Sequence, residues 1–256
     1  MLAWLVLAVV LGACAGQEVP RVETPFGTYL GKERQAPRKH DKKFFAFEGI
    51  PYAKPPIGDL RFRNPLPVGP LDKPFEAFTT PPECLQWDHL RERGVVGSED
   101  CLYLNVYTNR IPPPPTYANT QPTLVFLHAG TYTAGSGADG LFQPDYLVET
   151  DITVVTISHR LGPLGFLCTE DAEAPGNVGL RDQLLALEWV RDNIRYFGGM
   201  NDSVTVMGSG AGGSSAHLLT LTPLIRADDT NPNEFSLLHR IISHSGTAYT
   251  PGVLHK

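Results

Sequence analysis

Three short apolar runs organise the second half of the chain: Leu124-Val125-Phe126-Leu127, Ile152-Thr153-Val154-Val155-Thr156-Ile157 and Val204-Thr205-Val206-Met207. Each is rich in β-branched residues and nearly continuous rather than alternating, which is what strands buried on both faces of a parallel sheet require. Between the second and third runs, Leu180, Leu184, Leu187, Val190, Ile194 and Phe197 recur at steps of three and four. That spacing predicts an amphipathic helix, stopped by Gly198-Gly199. Strand, helix and strand in this order predict an α/β fold with a mixed, mostly parallel central sheet flanked by helices. Upstream, over 19–71, short alternating runs such as 21–29 and 44–47 lie among Gly, Pro and aromatic residues and predict a small antiparallel N-terminal sheet. A further strand is predicted over 102–107, and the four prolines of 112–115 make an extended connector. There is no internal repeat, and 19–256 reads as one domain.

The first residues change the expected location. Ten apolar positions, Leu2 to Leu11, precede Gly12, Ala13 and Ala15, so 1–15 is predicted to be a secretory signal peptide with an Ala13-Cys14-Ala15 cleavage box. The run is too short to span a bilayer. The same residues also fit a lipoprotein box with Cys14 as the lipidated residue. No later stretch is long and apolar enough to cross a membrane, so the chain is expected to be secreted, with no membrane span.

With 42% hydrophobic and 19% charged residues, the composition is that of an ordinary globular chain. A net charge of −6 and a pI near 5.7 argue against a nucleic-acid partner. The single basic run, KERQAPRKHDKK over 32–43, contains Pro37 and predicts a solvated loop. Outside the leader the cysteines are Cys84, Cys101 and Cys168, an odd count. A bridge between Cys84 and Cys101 would contribute about 3 kcal/mol by closing a short loop. Cys168, which follows Gly165-Phe166-Leu167, is expected to be a buried free thiol packing as a small hydrophobe. The His and Cys spacings match no metal-ligand pattern, and no cofactor is implied.

Candidate chemistry concentrates in VTVMGSGAGGSSAHLL over 204–219, a strand running through small residues into a helix. This is the setting of a nucleophile elbow, in which a strained turn lifts a serine between two flanking glycines. Gly208 and Gly212 match the flanks, but the residue between them is Gly210. Glycine keeps the turn and supplies no oxygen to attack a carbonyl. Ser209 is a poor substitute, because its own flanks would then be Met207 and Ala211. Ser214 and Ser215 fall on the helix as packing or capping residues.

Further segments extend the pattern along the chain: FEGIPYAKPP at 47–56 with LRF at 60–62, SEDCLYLNVY at 98–107, RLGPLGFL at 160–167, GNVGLRDQ at 176–183 and FGG at 197–199. In this order they resemble the type-B carboxylesterase and cholinesterase-like family. The resemblance covers about 20–252. It implies the N-terminal part of an α/β-hydrolase fold, incomplete at the C-terminus, with a disulfide joining Cys84 to Cys101. It also implies structural ion pairs of Arg61 with Glu99 and of Arg160 with Asp182. An oxyanion hole is placed at the turn after Leu127, where the family carries three glycines and this chain has Ala129-Gly130-Thr131. The backbone N–H groups of Gly130, Thr131 and Ala211 would be its donors. The branched Thr131 side chain is expected to crowd that turn.

The acidic residue and the histidine that complete the family's triad come well after the elbow, beyond Lys256. His128, His159, His217, His239 and His244 match no catalytic position and are expected to be packing or surface residues. Trp87 lies too near Cys84 to match the family's choline-site tryptophan. Asn201-Asp202-Ser203 is a possible glycosylation sequon beside a buried strand. The leading expectation is a non-catalytic relative serving as an extracellular recognition or binding module, with an unidentified extracellular protein as partner. The alternative is a secreted carboxylic ester hydrolase acting on a small carboxylic ester, represented by a truncated or misread chain.

Overall fold

The structure is a computed structural model that describes residues 19–38, 42–89, 91–113, 115–138, 142, 144–225 and 236–253. The apolar leader 1–15 lies outside the described residues. Twelve strands are described: β1 Arg21–Thr24, β2 Gly27–Leu30, β3 Lys32–Gln35, β4 Lys43–Pro51, β5 Phe75–Glu76, β6 Gln86–Asp88, β7 Gly94–Val96, β8 Tyr103–Thr108, β9 Gln121–Leu127, β10 Thr153–Ile157, β11 Gly199–Ser209 and β12 Arg240–His244. The helices are α1 Asp145–Val148, α2 Gly162–Phe166, α3 Val178–Asn193 and α4 Ala211–Leu221.

Seven strands form the central sheet in the order β12-β11-β9-β10-β8-β4-β3. The parallel pairs lie on one side, β12 with β11, β11 with β9 and β9 with β10, and these include the three apolar runs. The remaining pairs, β10 with β8, β8 with β4 and β4 with β3, are antiparallel. All five residues of β10 are buried, as the lack of alternation demands. The small sheet pairs β1 and β2 antiparallel and adds the two-residue β5 parallel to β2.

The sheet divides the core in two. Along β4, Phe47 joins the larger cluster while Phe44 and Ala46 join the smaller one with Tyr107, Val148 and Val154. On the larger side, α3 buries Leu184, Leu187 and Val190, and a 3-10 turn over Ile194–Phe197 completes the stripe. There Phe197 meets Tyr29, Phe47 and Trp189 at ring-centroid distances of 5.6, 5.0 and 5.7 Å. Burying a side chain of this size contributes about 1.5–3 kcal/mol, so this aromatic cluster fixes α3 firmly against the sheet.

Three sequence expectations about the fold need correcting. The run 44–47 does not belong to the small sheet: it lies in β4 of the central sheet, because both of its faces meet the core, Phe44 and Ala46 on one side and Phe47 on the other. The basic run does not begin as a loop: Lys32 to Gln35 form the edge strand β3. The cause is Glu48, buried on β4, whose carboxylate binds Lys32 Nζ at 2.7 Å and Arg34 Nη2 at 2.7 Å, so the charges are drawn into the sheet. Cys168 is free but exposed, because the chain leaves α2 into a surface loop where Cys168 bridges to Pro175.

Candidate functional site

The elbow is built where β11 ends and α4 begins. Gly210 has φ 55° and ψ −117°, a conformation strained for any residue with a Cβ. Its N–H donates to the His244 carbonyl at 2.9 Å, and its own carbonyl accepts the Ser214 N–H at 3.0 Å. The flanking glycines are required by close approach. A Cβ on Gly212 would overlap the Leu127 carbonyl oxygen and lie 2.6 Å from the His128 oxygen, and one on Gly208 would overlap the Gly212 carbonyl and lie 2.6 Å from the Gly213 nitrogen. At Gly210 the space is open, with the Ala129 Cβ at 3.7 Å as the nearest contact. The strand-turn-helix geometry is therefore present, and its apex carries no side chain.

Ala129 belongs to the turn after β9, which packs against the same helix end. Gly130 has φ 120°, Thr131 φ 54° and Tyr132 φ 61°, so two side-chain-bearing residues sit in the left-handed region. Thr131 is exposed, and its hydroxyl folds back to donate to the Gly130 carbonyl at 2.8 Å. The threonine thus avoids crowding the turn, and its cost is a strained backbone of about 1–3 kcal/mol. The Thr133 and Ala134 N–H groups close the turn on the Gly130 carbonyl at 2.9 and 3.0 Å. Tyr132 ties it down: its carbonyl accepts the Gly162 N–H at 2.7 Å, and its hydroxyl accepts from Ser215 on α4 at 3.2 Å. Among the described residues, the N–H groups of Gly130, Thr131 and Ala211 engage no acceptor. Thr131 and Tyr132 border a cleft of about 490 Å³ whose wall also includes Phe166, Cys168, Leu180 and Leu218.

The histidines divide by environment. His128 and His159 are buried and stack at 4.7 Å with an interplanar angle of 7°. Each Nδ1 lies against a carbonyl, Ala129 at 2.8 Å and Arg160 at 3.1 Å, so each Nδ1 carries the hydrogen. Burial, reinforced by His128, pushes His159 down to about 3, so it is neutral. His217 Nδ1 accepts the Ala248 N–H at 3.2 Å, and His239 Nδ1 accepts that of Val204 at 3.2 Å. His244 stands opposite Ser209 in the parallel register of β11 and β12, and its Nδ1 is 3.5 Å from both Ser209 Oγ and Ser245 Oγ. Sequence spacing gave no sign of this contact, since it depends on how the two strands align. It is a marginal hydrogen bond shared between two hydroxyls, and Ser209 is the last residue of a strand rather than the apex of the elbow.

The supporting residues are placed as follows. Cys84 and Cys101 are joined at a Cα separation of 4.9 Å. Arg61 donates to both Glu99 oxygens, at 2.5 and 2.8 Å, near the protein surface. Arg160 is buried and gives its Nε, Nη2 and backbone N–H to Asp182 at 2.9, 2.7 and 3.0 Å, fixing the start of α2 to α3. Burial pushes the Asp182 carboxyl up, against the three bonds that favour its ionised form. Trp87 is 65% exposed on β6. Asn201, on β11, donates its Nδ2 to the Arg191 carbonyl at 3.0 Å. Among the described residues no group of three His, Cys, Asp or Glu is gathered as a metal site, and no helix is long and apolar enough to cross a membrane.

Comparison with known proteins agrees with this architecture. The model of the Carboxylesterase family matches residues 18–256. Juvenile hormone esterase of Tribolium castaneum is 39% identical over 230 residues, which are 90% of this chain and 37% of that protein. Esterase FE4 of Myzus persicae is 36% identical over 237 residues, covering 92% and 40%. The crystal structure of juvenile hormone esterase from Manduca sexta, with OTFP covalently attached, superposes with a TM-score of 0.78 at 36% identity, covering 90% of this chain and 42% of that one. The chain spans about two fifths of the length of these relatives. The fold is that of an α/β-hydrolase, and the chain belongs to the carboxylesterase family.

Proposed function

We propose that this protein is a non-hydrolytic carboxylesterase-family member that works outside the cell as a recognition module for another protein. Gly210 carries the reading: it stands at the apex of a complete elbow and offers no nucleophilic oxygen. The apolar leader and the Cys84–Cys101 bridge support an oxidising, extracellular setting. Asn201 is a possible glycan site on this reading, and its bond to the Arg191 carbonyl would have to open first.

The open space at Gly210 favours one alternative, a carboxylic ester hydrolase in which the natural residue is serine, since a side chain fits there. In that case Gly130, Thr131 and Ala211 would supply the oxyanion donors. Purified protein is expected to leave p-nitrophenyl acetate unhydrolysed above the buffer rate. A transcript that carries serine at position 210, with turnover by the protein it encodes, would decide for the hydrolase.

A further inference from the structure

We infer that Gln86 is the positioning residue for the turn that follows β9, locking that turn to the disulfide loop. The hairpin of β6 and β7 lies inside the loop closed by Cys84 and Cys101. Its alternation sends Trp87 outward and leaves Gln86 7% exposed, facing the protein. The Gln86 amide pairs with both backbone groups of Gly135: Oε1 accepts the Gly135 N–H at 2.7 Å, and Nε2 donates to the Gly135 carbonyl at 2.9 Å. Nε2 also donates to the Cys84 carbonyl at 3.0 Å, so both amide hydrogens are used.

Gly135 has φ 107° and leaves no room for a Cβ, which would overlap the Ala129 carbonyl and His128 Nδ1. Its backbone is therefore held between the Gln86 amide on one side and the start of the turn on the other. The residue before it, Ala134, closes the turn on the Gly130 carbonyl. A continuous chain of contacts runs from the disulfide through Gln86 and Gly135 to Gly130 and Thr131. A side-chain amide that satisfies a buried N–H and a buried carbonyl together leaves both orphaned when it is removed. The inference concerns the shape of the turn beside the elbow, and it holds whether or not position 210 hydrolyses an ester.

Amide hydrogen exchange on the full chain tests it. The informative amides are Ala134 and Gly162, whose acceptors, the Gly130 and Tyr132 carbonyls, lie in the turn but are not bonded by Gln86. In Gln86→Met, which keeps the volume and removes the three bonds, both should lose about tenfold in protection or more while the β10 amides keep theirs. Gln86→Glu supplies a second measurement. Its protonated carboxyl can accept from and donate to Gly135, so protection of Ala134 and Gly162 should be near that of the parent at low pH and fall as the carboxyl ionises. Loss confined to Gly135, equal loss in β10, or a flat pH profile for Gln86→Glu would overturn the assignment.

Discussion

The three glycines of the elbow are present for different physical reasons, and substituting each in turn separates them. At Gly212 an added Cβ would lie 2.6 Å from the His128 oxygen, and at Gly208 the same distance from the Gly213 nitrogen. Ordinary carbon contacts begin at about 3.5 Å, and the obstructing atoms are backbone that cannot rotate aside. Alanine at either position must push α4 off β9 or off β11, at a cost of about 3 kcal/mol or more. At Gly210 the nearest atom is the Ala129 Cβ at 3.7 Å, so serine fits the space and meets only the conformational cost of φ 55°, about 1–3 kcal/mol. With a urea m-value of about 3 kcal/mol per M, the midpoint should fall by about 1 M or more for Gly208→Ala and Gly212→Ala, and by about 0.3–1 M for Gly210→Ser. Equilibrium unfolding followed by circular dichroism reads these shifts. A Gly212→Ala variant that unfolds at the parent midpoint, or Gly210→Ser as the least stable of the three, would refute the reading of the elbow as sterically intact.

Other consequences follow from groups around the site. Removing one member of the buried Arg160–Asp182 pair, as Arg160→Met, should cost about 3–5 kcal/mol by calorimetry, because the carboxylate loses its countercharge in a water-free place. Replacing both Cys84 and Cys101 by alanine should cost about 3 kcal/mol under non-reducing conditions and nothing further when a dithiol is added. His159 is held at about 3 when folded, against about 6.5 when unfolded, so the unfolded chain binds the extra proton between these values. The stability from keeping it neutral is whole above pH 6.5 and is lost as pH falls towards 3, at up to about 1.4 kcal/mol per pH unit. Unfolding free energies at pH 6.5 and 4.5 should differ by about 2 kcal/mol more in the parent than in His159→Asn, which removes the titrating ring.

How much was legible in the sequence depended on whether the signal was local. The strands β9 and β10 announced themselves because burial on both faces removes alternation, whereas β11, equally apolar in sequence, alternates between buried and half-buried positions over 204–209; α3 was legible because its stripe keeps helical period from Leu180 to Val190, and a 3-10 turn carries it on to Phe197. The elbow was legible because close approach of helix and strand demands glycine at fixed spacing. What escaped was set by partners distant along the chain. Lys32 and Arg34 form an edge strand because buried Glu48 draws them in, which a reading of the charge run as a solvated loop could not foresee. Cys168 follows an apolar run yet is exposed, because the chain turns to the surface after α2. The nearness of Ser209 to His244 depends on strand register, and the role of Gln86 on a loop 49 residues later in the chain.

With glycine at its apex, the elbow should offer no serine to an electrophile. A fluorophosphonate, which forms a covalent adduct with the activated serine of an esterase, tests it directly when followed by intact-mass measurement of the full chain. An unchanged mass after prolonged exposure is expected. A single stoichiometric adduct mapped to Ser209, and prevented by Ser209→Ala, would contradict it.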